Sequence, residues 1–286
     1  MIRLHRTAPP PARGTIPDVD VGVIYTHERP WMARLLTSLS EAGRGLAMRL
    51  ILVDNCSADG VEPWTGCVAD TVVLRNERRL FYAANLNRIL RASTARCVLL
   101  LNTDMFFDAR EPCVLRLVRF MDNHPQCGIA GCGLYHEDGH FAFPARRFQT
   151  LPVVLARRCG LGGLMPRTLD RYLYREHAPE ETWQAEWLSG ALLMLRREAL
   201  EDVGPFDEGF VKYFEDVDMC YRVARAGWQV MYYGGTWCYH LEHRASKRLL
   251  SLDALRHLRA YVRWYWKWGF SYSRELAPTL PGRRAA

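Results

Sequence analysis

Short apolar runs alternate with amphipathic stretches from about residue 19 onward, and this alternation predicts an α/β fold. Buried strands are predicted at 21–25, 50–53, 71–74 and 97–101. Helices are predicted between and after them, at 30–41, 81–92 and 112–124. Because continuous apolar strands alternate with helices, we expect a mostly parallel central sheet with helices on both faces.

The rest of the chain contains an irregular segment, further regular elements and two distinct ends. Residues 141–186 are rich in Arg and Gly and predict an insertion or a lid-like connection. Regular elements are predicted again at 187–200 (strand into helix), 215–226 (helix), 228–233 (strand) and 251–270 (helix). Pro-rich residues 1–18 predict a flexible arm, 19–248 a folded domain, and 249–286 an amphipathic basic and aromatic helix with a tail.

Polar side chains follow three predicted strands at the point where each strand ends. The groups are Thr26 to Arg29, Asp54-Asn55, and Asn102-Thr103-Asp104. Ligands bind beyond the carboxyl ends of strands in open α/β sheets, so we expect these groups to line one site. Burying Asp104 is costly without a positive partner, which favours Mg²⁺ or Mn²⁺ shared with substrate phosphates; a cap or turn is the alternative. Asp54 either bonds a nucleobase or ribose or serves only its turn.

A second acidic group, Glu215-Asp216-Val217-Asp218, begins a predicted helix. Acidic residues in a first turn complement the helix dipole. Three carboxylates in four residues exceed what a cap needs, so one of them is a candidate general base. His240 and His243 follow a Gly-Gly-Thr-Trp turn at a spacing that could place both near a metal; His243 is interpreted as a packed or surface residue.

Composition narrows the class of protein without naming its ligand. The 286 residues are 49% hydrophobic and 24% charged, as in ordinary globular proteins. No apolar run reaches transmembrane length and no signal-peptide core is present, which predicts a cytoplasmic protein. The net charge is +7, and 35 of the 38 basic residues are arginine, which suits phosphates or anionic membranes. Nine cysteines without a C-x-x-C pair predict reduced, buried thiols.

Eight segments follow one another in an order typical of a single enzyme family. They are VIYTHERP, LILVDNCSADG, NERRLFYAANLNRIL, LLLNTD, WLSGALLMLRREAL, GPFDEGF, YFEDVDMCYRVARAGW and the later His240. In this order they resemble glycosyltransferase family 2, over about residues 19–247. LLLNTD resembles the family's variant of the D-x-D metal motif, with Asn102 in the first acidic position. Leu80 and Ile89 stand where the family usually has glycine.

The resemblance implies a GT-A fold, which is Rossmann-like, with 19–135 as the nucleotide-sugar-binding half and 136–248 as the acceptor-side half. It implies Asp216 as the catalytic base, and Asp104 with His240 as ligands of Mg²⁺ or Mn²⁺. The implied nucleotide-sugar contacts are Thr26, Arg29, Asp54, Asn55, Asn87, Asn102 and Thr103. The implied acceptor-side residues are Trp187, Gly190 and Glu215.

The implied activity is transfer of a sugar from a nucleotide-diphosphate donor to a hydroxyl, with inversion and without an enzyme nucleophile. The subgroup resembles rhamnosyltransferases of cell-wall and O-antigen assembly, so dTDP-rhamnose is the leading donor and another hexose the alternative. The implied acceptor is a glycan or a polyprenyl-diphosphate-linked sugar. The basic stripe of the C-terminal helix suits peripheral contact with the inner face of the plasma membrane, or else a packed helix with a solvated face. The stripe consists of Arg256, Arg259, Arg263 and Lys267.

Three other functional classes are weighed against this interpretation. A nucleotidyltransferase would carry a Gly-rich, Lys-containing N-terminal signature, which residues 21–30 lack. A non-catalytic membrane or assembly partner is disfavoured because Asp104 and Asp216 are both present. Binding of nucleic acid is not expected, because the arginines are dispersed along the chain rather than concentrated in one domain.

Overall fold

A computed structural model describes residues 16–68, 70–158, 161–241 and 252–269. The strands are β1 (Val19–Tyr25), β2 (Met48–Asp54), β3 (Asp70–Arg75), β4 (Cys97–Leu101), β5 (Met105–Phe106), β6 (Cys127–Tyr135), β7 (Ala145–Arg146), β8 (Thr182–Gln184), β9 (Trp187–Leu188), β10 (Leu192–Arg196) and β11 (Gln229–His240). The helices are α1 (Arg29–Ala42), α2 (Tyr82–Ala92), α3 (Cys113–Asn123), α4 (Leu151–Arg158), α5 (Pro166–Tyr172), α6 (Arg197–Val203), α7 (Glu215–Arg225) and α8 (Leu252–Trp268), with short 3₁₀ turns at Glu62–Trp64 and Leu161–Leu164. Most of the predicted arm at 1–18, His243 and the tail after 269 lie outside the described residues.

The central sheet confirms the predicted α/β architecture and is mixed in direction. Its strand order is β3-β2-β1-β4-β10-β6-β11-β5, with β8 also paired to β11. The first four strands in this order are mutually parallel, as their apolar sequences predict. β10 runs antiparallel to both β4 and β6, and β11 runs parallel to β6. The carboxyl ends of β1, β2 and β4 therefore meet at one edge, where the predicted polar groups lie.

Each face of the sheet has its own hydrophobic core, because successive strand residues point to opposite faces. On β2, Leu50 and Leu52 belong to the cluster that contains α1 and α3, whereas Ile51 and Val53 belong to that of α2, α7 and α8. The leucines predicted to share one face of α1 are all buried against the first cluster. Burying each such side chain contributes about 1.5–3 kcal/mol.

In the second half of the chain the structure adds detail to one prediction and corrects another. The segment 141–186, predicted to be an insertion or a lid-like connection, contains β7, α4, α5 and β8. The Gly234-Gly235 pair is not a turn: β11 continues through it to His240, with a register irregularity between Tyr233 and Trp237. Glycine is required there by close approach, since a Cβ on Gly234 would overlap the backbone of Glu181.

The C-terminal helix α8 packs on the domain. The Trp264 ring is fully buried and lies 5.6 Å from the Phe148 ring and 5.3 Å from the Tyr221 ring, between centroids. The Lys267 Nζ lies 2.7 Å from an Asp207 carboxylate oxygen and 2.8 Å from one of Asp218. The C-terminal part of the basic stripe therefore holds α8 against the domain through ion pairs. Among the described helices, none is long and apolar enough to cross a membrane.

Eight of the nine cysteines lie in the described part of the chain, and all eight are unpaired thiols. Six of them are buried, which confirms the prediction for these positions. Cys56 is exposed and Cys67 is partly exposed, so the prediction of burial is wrong there. Both lie in or after the polar loop that follows β2, and of the two only Cys67 packs in part against the hydrophobic core.

The buried carboxylate of Asp20 joins three segments at the sheet edge opposite the cleft. Arg49 donates two hydrogen bonds to it at 2.8 and 2.9 Å. The Ser93 hydroxyl donates at 2.6 Å, and the backbone N–H groups of Thr94 and Ala95 donate at 2.7 and 2.9 Å. Burial alone raises the pKa of Asp20, but the hydrogen bonds from Arg49, Ser93, Ala95 and Thr94 together lower it below 3.8. β1, β2 and the α2–β4 connection are therefore held together by one ionised group.

We expect Asp20→Asn to lower the free energy of unfolding by about 3 kcal/mol, because it leaves the Arg49 guanidinium without its charged partner. Urea unfolding measures this. Asp170→Asn is the matched control: its exposed carboxylate lies 3.1 Å from Arg175, and its loss should cost less than about 1 kcal/mol. The low pKa of Asp20 means that its contribution is present above about pH 4 and is lost as pH falls further. A difference between wild type and variant that stayed constant down to about pH 3 would contradict this account.

Candidate active site

A polar groove runs along the sheet edge where β1, β2 and β4 end. It consists of a cleft of about 840 Å³ and a neighbouring one of about 390 Å³. The two share Thr26, Asn55, Tyr82 and Asn102, so they form one continuous space. Of the predicted site residues, the larger cleft is lined by Thr26, Asn55, Asn102, Trp187, Gly190, Glu215, Asp216 and His240, and the smaller one adds Thr103 and Asp104.

Three predicted nucleotide-sugar contacts do not line this groove. Asn87 lies on α2, and its side chain bonds the loop at 206–208 instead of lining the groove. Its amide oxygen accepts from the Phe206 N–H at 2.8 Å, and its amide nitrogen donates to Phe206 O and to Glu208, each at 2.9 Å. Arg29 is exposed and lies 3.5 Å from Asp59. Asp54 accepts from the Ser57 N–H at 2.9 Å and from Arg75 at 3.0 Å, as a turn residue would.

Asp104 and His240 are far apart in sequence but adjacent in space. The antiparallel pairing of β11 with β5 sets His240 opposite Met105, and the Leu241 N–H donates to the Asp104 carbonyl oxygen at 2.9 Å. The His240 Nε2 consequently lies 3.3 Å from the Asp104 Oδ1. A carboxylate oxygen is a ligand that Mg²⁺ and Mn²⁺ both accept together with phosphate oxygens, whereas an imidazole nitrogen is a ligand of transition metals. Of the two predicted cations, the pair therefore fits Mn²⁺ better than Mg²⁺.

Glu215 and Asp216 enter the groove at the first turn of α7. The two residues before them, Tyr213 and Phe214, adopt left-handed backbone conformations with φ of 72° and 70°. This reverses the chain and points the helix start at the cleft. Asp216 is oriented by the Gly190 N–H, which donates to its Oδ2 at 2.8 Å. A Cβ on Gly190 would lie 3.2 Å from that same oxygen, so a side chain there would crowd the carboxylate.

Burial separates the protonation behaviour of the two carboxyl groups. It raises the pKa of Glu215 to about 8, and the negative charge of Asp216 adds to the shift. The Glu215 Oε2 is buried, and no described group hydrogen-bonds it, as suits a carboxyl that keeps its proton at neutral pH. Burial also raises the pKa of Asp216, while the Gly190 and Val217 N–H groups and Arg146 oppose that rise. Asp216 is therefore the more easily ionised of the two and the better candidate base.

Tyr82 is a groove residue that the sequence analysis missed. Its hydroxyl donates to the Asn102 Oδ1 at 2.9 Å. Burial raises the pKa of Tyr82, and the charges of Glu215, Asp216 and Asp104 raise it further. The phenol thus stays neutral between the two acidic groups. The sequence offered one signal for Tyr82, its position at the start of α2 directly after Phe81. An aromatic residue at such a position is as typical of core packing as of a binding site.

Cations from separate parts of the chain also line the larger cleft: Arg79, Arg146, Arg157, Lys212 and Arg256. Arg146 was missed by the sequence analysis. The pairing of β7 with β9 sets Arg146 opposite Trp187, and its guanidinium carbon lies 5.1 Å from the Trp187 ring centroid. The signal was weak because Arg146 lies in the segment that lacks clear periodicity. The cleft combines carboxylates and cations, which suits an anionic substrate that undergoes proton transfer.

Comparison with known proteins gives one family match and several relatives. Residues 20–204 match the model described as glycosyl transferase family 2. A Mycobacterium tuberculosis protein named N-acetylglucosaminyl-diphospho-decaprenol L-rhamnosyltransferase is 29% identical over 262 residues, covering 85% of this chain and 82% of that protein. The Myxococcus xanthus O-antigen biosynthesis protein RfbC is 28% identical over 245 residues, covering 83% of this chain and 18% of that protein.

Solved structures share the fold at low sequence identity. The mannosyltransferase PcManGT from Pyrobaculum calidifontis, in complex with GDP-Man and Mn²⁺, has a TM-score of 0.57 and 19% identity, covering 96% of this chain and 79% of that one. GalNAc-T7 with UDP, GalNAc and Mn²⁺ has a TM-score of 0.62 and 15% identity, covering 92% and 50%. The architecture of the sheet is therefore that of these structures.

Wild-type protein should lose stability as pH rises, and we expect Glu215→Gln to remove that loss. The Glu215 carboxyl releases its proton near pH 4.5 in the unfolded chain, whereas burial raises its pKa to about 8 in the folded chain. Wild-type stability should fall as pH rises across this interval, by up to about 1.4 kcal/mol per pH unit, and the variant should not show this fall. Urea unfolding at several pH values checks this, with the exposed Glu201→Gln as control. Parallel pH profiles for wild type and Glu215→Gln would refute the assignment.

Proposed function

Because the chain belongs to glycosyltransferase family 2, we propose that it transfers rhamnose from dTDP-rhamnose to a hydroxyl of a lipid-linked glycan, with inversion and with a divalent cation. The chain is a glycosyltransferase with a GT-A fold. The proposal rests above all on one observation: the Asp104–His240 pair and the Asp216 carboxylate face the same groove.

The choice of sugar and acceptor is supported by the named relatives. The mycobacterial relative is named for transfer of L-rhamnose to a sugar on a decaprenyl diphosphate. Rhamnosyltransferase WbbL of Escherichia coli is 28% identical over 79 residues, covering 28% of this chain and 30% of that protein. The structural neighbours use other sugars, but their low identity bears on the fold alone. Transfer of another hexose is the alternative within the same chemistry.

The donor side of the proposed mechanism uses the strand ends. Asp104 Oδ1 and His240 Nε2 would hold the cation, which when bound supplies positive charge to the departing diphosphate. Thr26 and Asn55 line the adjoining space and offer hydrogen bonds to the nucleotide. Tyr82 fixes the orientation of Asn102 through its hydroxyl and, being neutral, adds no negative charge beside the phosphates.

The acceptor side uses the start of α7. Asp216 would take the proton of the acceptor hydroxyl as that oxygen attacks the anomeric carbon. The Gly190 N–H keeps the carboxylate aimed at the cleft, and the protonated Glu215 beside it leaves the site with one negative charge fewer. A single displacement of this kind inverts the anomeric centre and needs a base rather than a nucleophile. General base catalysis contributes roughly 10²–10⁴-fold.

The test of the proposal is release of nucleoside diphosphate from a panel of donors with Mn²⁺. We expect release to be fastest from dTDP-rhamnose, compared with GDP-mannose and UDP-GlcNAc, and to stop when the metal is chelated. Asp104→Asn should raise the half-saturating Mn²⁺ concentration roughly tenfold or more. His140→Ala is the control. It removes a side chain of a type that can bind metals, but His140 is exposed and lies outside the groove, so the variant should need no more Mn²⁺ than wild type. Preferential release from a different donor would contradict the choice of rhamnose. Release that continues after the metal is chelated would contradict the requirement for a divalent cation.

Asp216→Asn distinguishes a role of Asp216 as catalytic base from a role in binding the donor. The asparagine keeps the shape and one acceptor oxygen but cannot take the proton, so kcat should fall by about 10²–10⁴-fold while donor binding stays within about twofold. Transfer rate and calorimetric affinity for the nucleotide measure the two effects. The exposed Asp138→Asn serves as the matched control. A variant with unchanged kcat would show that another group accepts the proton.

A further inference from the structure

One face of α8 presents apolar side chains to solvent. Leu255, Leu258, Val262 and Trp266 are 65%, 53%, 46% and 88% exposed. Their spacings of three, four and four residues place them in a single stripe along the helix. The opposite face carries Ala260, Tyr261 and Trp264, which are buried against the domain. The stripe therefore points away from the protein, and its orientation is fixed by packing.

A basic groove lies alongside this apolar stripe, between α8 and the loop at 209–212. It has a volume of about 220 Å³ and is lined by Gly209, Phe210, Val211, Lys212, Arg256, Arg259, Ala260 and Arg263. Four of these residues are cationic and none is acidic. Arg263 is held in place by Asp207 at 3.0 Å, and a Cβ on Gly209 would overlap its guanidinium. The groove is a built feature, because the glycine and the ion pair together create its wall.

The basic groove opens toward the active site. Lys212 and Arg256 line both the groove and the larger cleft that contains Asp216. On the helix, Arg259 lines the groove and is next to Leu258 of the apolar stripe. Residues 254–274 contain no Asp or Glu, so the charge of the segment is uniformly positive. Apolar stripe, basic groove and catalytic cleft thus follow one another across the surface.

We propose that α8 is the element through which the acceptor lipid is recognised at an anionic membrane. The apolar stripe enters the boundary between headgroups and acyl chains, as amphipathic interfacial helices do. The basic groove binds the diphosphate of a polyprenyl-diphosphate-linked acceptor, because one guanidinium group can donate two parallel hydrogen bonds to phosphate oxygens. The sugar beyond the diphosphate then reaches the cleft past Lys212 and Arg256. This inference rests on the proposed function, whose acceptor it describes.

Vesicle binding by the full-length protein tests the inference. Three compositions are compared: phosphatidylcholine alone, phosphatidylcholine with phosphatidylglycerol, and phosphatidylcholine with polyprenyl diphosphate at matched surface charge. We expect negligible binding to the first, clear binding to the second and the tightest binding to the third. Leu258→Ser with Trp266→Ser should weaken binding to both charged vesicles roughly tenfold or more. Arg259→Gln should weaken binding to phosphatidylglycerol vesicles about fivefold and abolish the preference for polyprenyl diphosphate.

Leu164→Ser is the matched control, because Leu164 is 81% exposed but lies outside α8. It should bind every vesicle as wild type does. Unchanged binding by the Leu258 and Trp266 double variant would overturn the docking surface. Equal binding of wild type to phosphatidylglycerol and polyprenyl diphosphate would overturn the groove as a diphosphate site. Release of nucleoside diphosphate from the donor by wild type without vesicles is measured separately, so failure of the membrane inference is distinct from failure of the proposed function.

Discussion

The accumulation of carboxyl groups at one sheet edge is the constraint on which the rest of the site depends. Asp104, Glu215 and Asp216 face one partly enclosed groove, where repulsion between like charges is weakly screened. The structure resolves this in three different ways. His240 stands beside Asp104, backbone N–H groups hold Asp216, and Glu215 keeps a proton. The same arrangement leaves the groove receptive to a cation and to the phosphates that accompany it.

The sequence predicted the parts of this site that depend on local pattern. Apolar runs located β1, β2 and β4, and the rule that ligands bind beyond strand ends placed Thr26, Asn55 and Asn102 together. The partnership of Asp104 with His240 was implied by family resemblance alone. Spacing could not have shown it, because it depends on how β11 pairs with β5 more than 130 positions away along the chain.

The features that escaped prediction depend on tertiary packing. Arg146 reaches the cleft through a two-strand pairing in a segment without clear periodicity. Asn87 was expected at the nucleotide, but its helix turns it toward the loop at Phe206, where a buried amide finds three backbone and side-chain partners. The basic stripe of α8 was predicted either to contact a membrane or to be the solvated face of a packed helix. The structure divides it, since Lys267 is committed to Asp207 and Asp218 while Arg256 and Arg259 line the groove.

The left-handed residues Tyr213 and Phe214 connect the start of α7 to the C-terminal helix. A non-glycine residue in this conformation costs about 1–3 kcal/mol, and here two occur in succession. Burial offsets that cost at Phe214, because its ring is 2% exposed and lies 5.9 Å from the Tyr261 ring and 6.1 Å from the Trp264 ring of α8, between centroids. Glycine at 214 would relieve the strain but would also remove this packing, and losing a buried Phe side chain costs about 3–5 kcal/mol. The backbone conformation that precedes Glu215 and Asp216 therefore depends on α8, so loss of that helix would disturb the catalytic carboxylates as well as the surface of the protein.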